Sequence, residues 1–125
     1  MSVTSLFVGV LLSQSAFSIA QDSQPVEHVD VGYEELAQGQ PDAAIAAIEA
    51  NGGLQTDDPA AMINLGTAYA RLGQTAKALS LYRAAAASET RYDLELADGR
   101  WMDSRKAARI ALHTLKVDTA HALND

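Results

Sequence analysis

Residues 58–90 read DPAAMINLGTAYARLGQTAKALSLYRAAAASET and contain two helical patterns separated by Gly73-Gln74. Apolar residues recur at helical spacing over 62–72 and again over 78–85. Asp58-Pro59 is typical of a helix start, because an acid caps the first turn and a proline at the first helical position loses no hydrogen bond. This stretch therefore predicts two helices joined by a tight turn.

A related pattern lies 34 residues earlier in the chain. The matching pairs are Pro25/Pro59, Gly32/Gly66, Gly39/Gly73, Gln40/Gln74 and Ala44/Ala78. A fixed period in this range is typical of stacked helical repeats. We expect one repeat over 25–58, whose first helix includes residues 29–36, and a second repeat over 59–90.

The second repeat resembles the tetratricopeptide repeat family. The residues that carry the resemblance are Asn64-Leu65-Gly66, Tyr69, Gly73, Ala78-Leu79, Tyr82 and Ala85. The resemblance implies a mostly α-helical fold of two stacked hairpins, a fragment of an α-solenoid. It also implies that the first helices of the hairpins line a concave groove that binds peptides.

The third unit departs from the repeat. The 34-residue period predicts a glycine at position 100, where the chain has Arg100. Leu94 and Leu96 alternate with charged residues, and Asp98-Gly99 is a strong hairpin signal, so we expect strands over 92–96 and 100–102. The alternative is a degenerate repeat helix.

A final helix is expected over 104–116, capped by Asp103-Ser104. Its predicted buried stripe is Ala107, Ala108, Ile110, Ala111 and Leu115. Because a short repeat stack leaves one side of its last hairpin uncovered, we interpret 91–117, a β-hairpin plus one helix, as a C-terminal cap. Leu94, Leu96 and Trp101 would supply its apolar area. Residues 118–125 are expected to form a flexible polar tail.

The N-terminal segment 1–20, MSVTSLFVGVLLSQSAFSIA, predicts an export signal. Its apolar run over 6–12 is followed by small residues before Gln21, which favours signal cleavage after Ala20. A retained membrane anchor is the alternative, but the run is shorter than the ~20 apolar residues that a spanning helix needs. We therefore expect an exported protein, periplasmic or extracellular, with no stable membrane insertion after cleavage.

Composition argues against several classes of function. The 125 residues include no cysteine, and the formal net charge is −7. Residues 1–70 contain nine acids and no Lys or Arg, a net charge of −9, whereas residues 71–125 contain nine bases and seven acids, a net charge of +2. An acidic protein of this kind is a poor candidate for nucleic-acid binding. No catalytic motif or metal-ligand spacing emerges, so we expect neither an enzyme nor a metal nor a cofactor.

Two surfaces are candidates for binding. The candidate groove residues, assigned to the first helices of both hairpins, are Tyr33, Leu36, Ile63, Asn64, Thr67 and Arg71. In peptide-binding members of the family an asparagine at the place of Asn64 often contacts the ligand backbone; an exposed helix asparagine is the alternative interpretation. The alternative surface is the basic face of the last helix, with Arg105, Lys106 and Arg109. The hypothesis is a non-catalytic protein-binding module, a periplasmic adaptor or assembly factor that takes an unidentified peptide or partner helix. The alternative is a module that self-associates through its ends.

Overall fold

The computed structural model describes residues 10–12, 15–17, 31–52, 57–96 and 100–124. Two short strands, β1 (Val10–Leu12) and β2 (Ser15–Phe17), pair antiparallel near the N-terminus. The first four helices are α1 (Tyr33–Ala37), α2 (Pro41–Ala50), α3 (Pro59–Arg71) and α4 (Thr75–Ala87). Then come β3 (Asp93–Glu95), β4 (Trp101–Asp103) and α5 (Ser104–Asn124).

The helix pair α3–α4 forms as the sequence predicts. The Asp58 carboxylate accepts a hydrogen bond from the Ala60 backbone N–H at 3.1 Å and so caps α3. Where the two helices approach each other, a Cβ on Gly66 would lie 2.7 Å from Cε1 of Tyr82. Ala78 is fully buried at the same contact. Small residues are thus required where α3 meets α4.

The first helix is shorter than the repeat predicts. Helix α1 begins only at Tyr33, because Gly32 adopts a left-handed conformation with φ 71°. A Cβ at Gly32 would lie 3.0 Å from Cδ1 of Ile48 and 3.1 Å from the Ala44 carbonyl oxygen. The prediction that Gly32 lies inside a helix is therefore wrong, and Val29 lies outside the described residues. Helix α2 ends at Ala50.

The two strands expected over 92–96 and 100–102 are confirmed as a pair, whereas the predicted Asp98-Gly99 turn lies outside the described residues. Strands β3 and β4 pair antiparallel, with Leu94 opposite Met102 and Glu95 opposite Trp101. Leu94 and Leu96 are fully buried. The prediction that Trp101 adds to the buried area is wrong, since its side chain is 64% exposed. Cross-strand partners share a face, so Trp101 lies on the outer face with Glu95.

The last helix is longer than predicted. Helix α5 continues to Asn124, so the expectation of a flexible tail over 118–125 is wrong for residues 118–124. Ala107, Ala108 and Ala111 are buried as expected, but Ile110 is exposed and Leu115 is half-buried. Small alanines therefore make the close contact of α5 with α4, with which it packs most extensively.

The described fold is mostly helical, and each helix packs against the next along the chain. The main core runs from Ile48 through α3 and α4 to the hairpin and α5. A smaller cluster of Leu36, Ala44 and Ala68 holds α1 to its neighbours. Strand β1 lies against α3 and also contacts α1 and α5. None of the helices described here is both long and apolar enough to cross a membrane. The predicted cleavage point, Ala20, lies outside the described residues.

Candidate binding surface

Two of the six predicted groove residues, Asn64 and Arg71, connect α3 to the backbone of α1 and the residues just before it. Asn64 Nδ2 donates to the Val31 carbonyl at 2.9 Å. Farther along the helix, Arg71 Nη1 donates to the Leu36 carbonyl at 2.6 Å. Asn64 thus binds a backbone oxygen just before α1, and Arg71 binds one within α1. The structure therefore uses two of the predicted groove residues to join these two helices.

Four of the six residues are not available at the surface of the full chain. Leu36, Ile63, Asn64 and Thr67 are each at most 1% exposed. Tyr33 is half-buried and Arg71 is exposed. The interpretation of Asn64 as an exposed helix residue is therefore wrong. A buried asparagine requires hydrogen-bond partners, and the Val31 carbonyl is one of them.

Thr67 links the junction to the α3–α4 contact. Its hydroxyl bonds the Ile63 carbonyl at 3.0 Å and the Tyr82 hydroxyl at 2.8 Å. Burial raises the pKa of Tyr82, while the hydrogen bond to Thr67 and the charge of Arg71 partly offset that effect. Tyr82 is consequently a neutral residue of the interior, fixed at both its ring and its hydroxyl.

Strand β1 also lies close to α1 and α3. Strand β1 contacts α1, α3 and α5, the first, third and fifth of the described helices. Ile63 and Asn64 both lie on the side of α3 that carries Thr67, because they precede it by four and three residues. Strand β1 thus contacts the helices that carry the predicted groove and cap residues.

The alternative basic surface is exposed only in part. Lys106 and Arg109 are exposed on α5. Arg105 is half-buried, and its Nε donates to the Ser88 carbonyl at 2.8 Å, which ties α5 to the end of α4. Arg105 therefore has a structural role, and two of the three predicted cations remain on the open surface.

Asp103 organises the start of α5. Its Oδ1 accepts from the backbone N–H groups of Arg105 at 3.0 Å and Lys106 at 3.2 Å, and its Oδ2 forms an ion pair with Arg91 at 2.6 Å. Burial alone would raise the pKa of Asp103. The hydrogen bonds from Arg91 and from the two backbone amides outweigh it and hold the pKa below its ordinary value.

The sequence analysis missed a polar contact between the hairpin and α3. The Tyr92 hydroxyl donates a short hydrogen bond to Oδ1 of Asp58, the residue that caps α3. Burial raises the pKa of Tyr92, and the negative charge of Asp58 and the hydrogen bond to it raise it further. Tyr92 follows Asp58 by 34 residues, which is also the period of the sequence pattern. That pattern matches like residues with like, so it does not predict a contact between a phenol and a carboxylate.

A shallow cleft of about 400 Å³ lies between the start of α3 and the end of α4. Its lining includes Asp57, Met62, Ser88 and Glu89. The Ser88 hydroxyl accepts from the Thr90 backbone N–H at 3.2 Å, a local turn contact. Across the part of the chain that the structure describes, no three His, Asp or Glu side chains form a group that could hold a metal ion.

Comparison with known proteins adds no relative. No family model matches the sequence, and neither the curated proteins nor the solved structures give a significant match.

Proposed function

We propose that the protein is a non-catalytic binding module of the tetratricopeptide type, which takes an extended peptide segment of a partner protein along α1, α3 and α5. We further propose that it is exported and acts in the periplasm as an adaptor or assembly factor. The observation that carries the proposal is the position of β1. The short extended strand β1 contacts all three of these helices, which supports binding of another extended segment there.

The packed helices support this proposal, as does the chemistry of the junction. Small residues at the α3–α4 contact, Gly66 and Ala78, agree with a repeat hairpin. Tyr33 is half-buried and Arg71 is exposed, so an aromatic ring and a cation are available at the edge of the junction. Aromatic and arginine side chains are the types that dominate peptide interfaces.

A site-specific crosslinking experiment tests the proposal. A photoreactive amino acid replaces Tyr33 in one variant and Arg109 in a second, and each variant is produced in its native host and irradiated in intact cells. We expect the probe at position 33 to capture a discrete partner protein. The matched control is a probe at Ser80, an exposed residue of α4.

The probes also separate the two candidate surfaces. Capture through position 109 and not through 33 would place binding on the basic face of α5 and would overturn the groove proposal. Capture of only a second copy of this chain would favour the self-association hypothesis. That hypothesis is supported by the exposed apolar side chains of Ile110 and Val117 on α5. The positive charges of Lys106 and Arg109 on the same helix would attract the acidic residues 1–70 of a second copy.

A further inference from the structure

We propose that the outer face of the β3–β4 hairpin binds a cationic side chain of a partner protein, held between the ring of Trp101 and the carboxylate of Glu95. The ligand class is a lysine or arginine side chain on an extended segment of that partner. None of the six predicted groove residues belongs to this face, so the inference goes beyond the proposed function and does not rest on it.

The first argument is the exposure of Trp101. Its side chain is 64% exposed, whereas Leu94 and Leu96 on the inner face of the hairpin are buried in the main core. The hairpin therefore packs against the helices with one face and presents its tryptophan ring on the other. Tryptophan is enriched among the few residues that dominate protein interfaces, because its ring offers a large apolar surface.

The second argument is the closeness of Trp101 to a carboxylate. Trp101 lies directly opposite Glu95, and at the next pair along the ladder the Leu96 N–H donates to the Arg100 carbonyl at 2.6 Å. Hydrogen-bonded and non-hydrogen-bonded pairs alternate in an antiparallel ladder, so Glu95 and Trp101 form a non-hydrogen-bonded pair, the kind whose side chains lie closer together. Because successive residues of a strand alternate between faces, Arg100 belongs to the other face of the hairpin.

The charge of the outer face favours a cation. Asp93 is exposed and lies two residues before Glu95, hence on the same face. Opposite Asp93, the Asp103 carboxylate is already paired with Arg91 at 2.6 Å. Three carboxylates and one guanidinium give this face a net charge of −2, which a cationic ligand complements.

The chain itself contains an example of the same recognition. Nζ of Lys77 lies 4.9 Å from the centroid of the Tyr69 ring. Burial raises the pKa of Tyr69, and the charge of Glu49 and its hydrogen bond with the Tyr69 side chain raise it further. An aromatic ring, a neighbouring carboxylate and a lysine thus meet where α2, α3 and α4 adjoin. The hairpin offers the ring and the carboxylate, and a tryptophan ring attracts a cation more strongly than a tyrosine ring does.

The spacing of two carboxylates defines the ligand further. Side chains two residues apart on a strand share a face and are separated by about 6.8 Å along it. Asp93 and Glu95 have this separation, and so do the two lysines of an extended Lys-Xaa-Lys segment. Such a segment can place one cation between Trp101 and Glu95 and a second beside Asp93.

The test uses the full chain and the peptide acetyl-Thr-Lys-Thr-Lys-Thr-amide as the probe. Trp101 is the only tryptophan in the sequence, so tryptophan fluorescence reports on this face. We expect a saturable change in its emission at low ionic strength and a weaker response as salt is added. A probe with norleucine in place of both lysines keeps the aliphatic chains and lacks the charges, so it should give no saturable change.

Calorimetric titration measures the same probe against variants of the chain. Trp101→Leu should weaken binding roughly two- to fivefold, the equivalent of about 0.5–1 kcal/mol for an exposed cation–π contact. Trp101→Tyr keeps a ring and should bind more tightly than Trp101→Leu. Glu95→Gln should also weaken binding, by up to about fivefold. The control is Asp42→Asn, which changes the net charge equally at an exposed site on α2 and should bind like the parent.

Several results would overturn the proposal. One is the lack of a saturable change with the lysine probe, or an equal change with the norleucine probe. Another is binding by both Trp101→Leu and Glu95→Gln at the level of Asp42→Asn. If the parent sediments as a dimer and Trp101→Leu as a monomer, the face binds a second copy and the proposed partner segment is wrong.

These substitutions lie at exposed or half-buried positions, so the variants should melt within a few degrees of the parent. A loss of binding is then not a loss of folding. Capture through position 33 is a separate measurement on other residues, so the hairpin site and the groove can each be contradicted without the other.

Discussion

Substitution of Gly66 by alanine tests the closest helix contact in the protein. The new Cβ would lie 2.7 Å from Cε1 and 2.9 Å from Cδ1 of Tyr82. The ring cannot move freely, because Tyr82 is only 2% exposed and its hydroxyl bonds Thr67 at 2.8 Å. The strain must therefore be relieved by separating α3 from α4 or by breaking that hydrogen bond.

The magnitude follows from three opposing contributions. Overpacking of a well-packed core costs about 1–3 kcal/mol. Loss of the hydrogen bond between Thr67 and Tyr82 adds about 1 kcal/mol, and the better helix propensity of alanine returns about 1 kcal/mol. We therefore expect Gly66→Ala to lower the free energy of unfolding by about 1–3 kcal/mol. For a domain of this size each kcal/mol corresponds to about 4–8 °C in Tm.

The assay is urea denaturation of the full chain, followed by circular dichroism, with a double-mutant cycle as control. In a Tyr82→Leu background the ring is gone, so Gly66→Ala should be neutral or stabilising by up to about 1 kcal/mol through propensity alone. If Gly66→Ala is as stable as the parent, or costs as much without the ring as with it, the described approach of α3 and α4 is wrong.

The remaining predictions concern three polar contacts. Tyr92→Phe removes the donor to the buried Asp58 carboxylate and should lower the free energy of unfolding by about 1–3 kcal/mol at neutral pH. The folded pKa of Tyr92 is raised, so its stabilising contribution is complete below the unfolded pKa of about 10 and is lost as pH rises above it. Tyr92→Phe should therefore lose less Tm at alkaline pH than the parent protein does. The folded pKa of Asp103 is depressed, so its stabilising contribution is present above the unfolded pKa of about 3.9 and is lost as pH falls through the folded pKa. Asp103→Asn should therefore lower Tm at pH 6 and make Tm less dependent on pH in acid. Asn64→Ala leaves the Val31 carbonyl without this donor and should cost about 1–3 kcal/mol in urea denaturation.

Each of these variants has a matched control at an exposed or peripheral site. Tyr33→Phe removes the phenol hydroxyl of a half-buried tyrosine, and Asp93→Asn removes an exposed carboxylate on β3. Asn51→Ala removes an exposed amide that bonds the Ala47 carbonyl at 2.9 Å. We expect small changes of roughly ±0.5 kcal/mol for such surface substitutions. A control that changes stability or pH dependence as much as its partner would contradict the role assigned to that partner.

The parts of the fold that the sequence predicted are those set by local signals. The Asp58 cap and the glycine turn of residues 73–74 required only nearby residues, and helical periodicity fixed the α3–α4 pair. The end of α5 was missed because its polar composition suggested a tail. The signal that could have found it is the lack of any Gly or Pro over 104–124, where helices otherwise stop.

The errors in the candidate site arise from contacts distant in sequence. The left-handed Gly32 depends on its proximity to Ile48 and Ala44, which periodicity does not show. Likewise, the burial of Asn64 depends on an acceptor 33 residues away. The exposure of Trp101 was decided by strand register, since it pairs with Glu95 and so lies on the polar face.

The two hydrogen bonds from α3 to the backbone around α1 have a consequence for how the domain opens. Helix α1 has five residues, of which only Leu36 is buried, and side-chain hydrogen bonds contribute little net free energy compared with a packed core. Native proteins unfold locally where buried contacts are few. The backbone amides of residues 33–37 should therefore exchange with solvent through local unfolding of α1, while α3 and α4 stay folded. During that unfolding Asn64 loses its hydrogen bond to the Val31 carbonyl and Arg71 loses its hydrogen bond to the Leu36 carbonyl, so both side-chain contacts open together with α1.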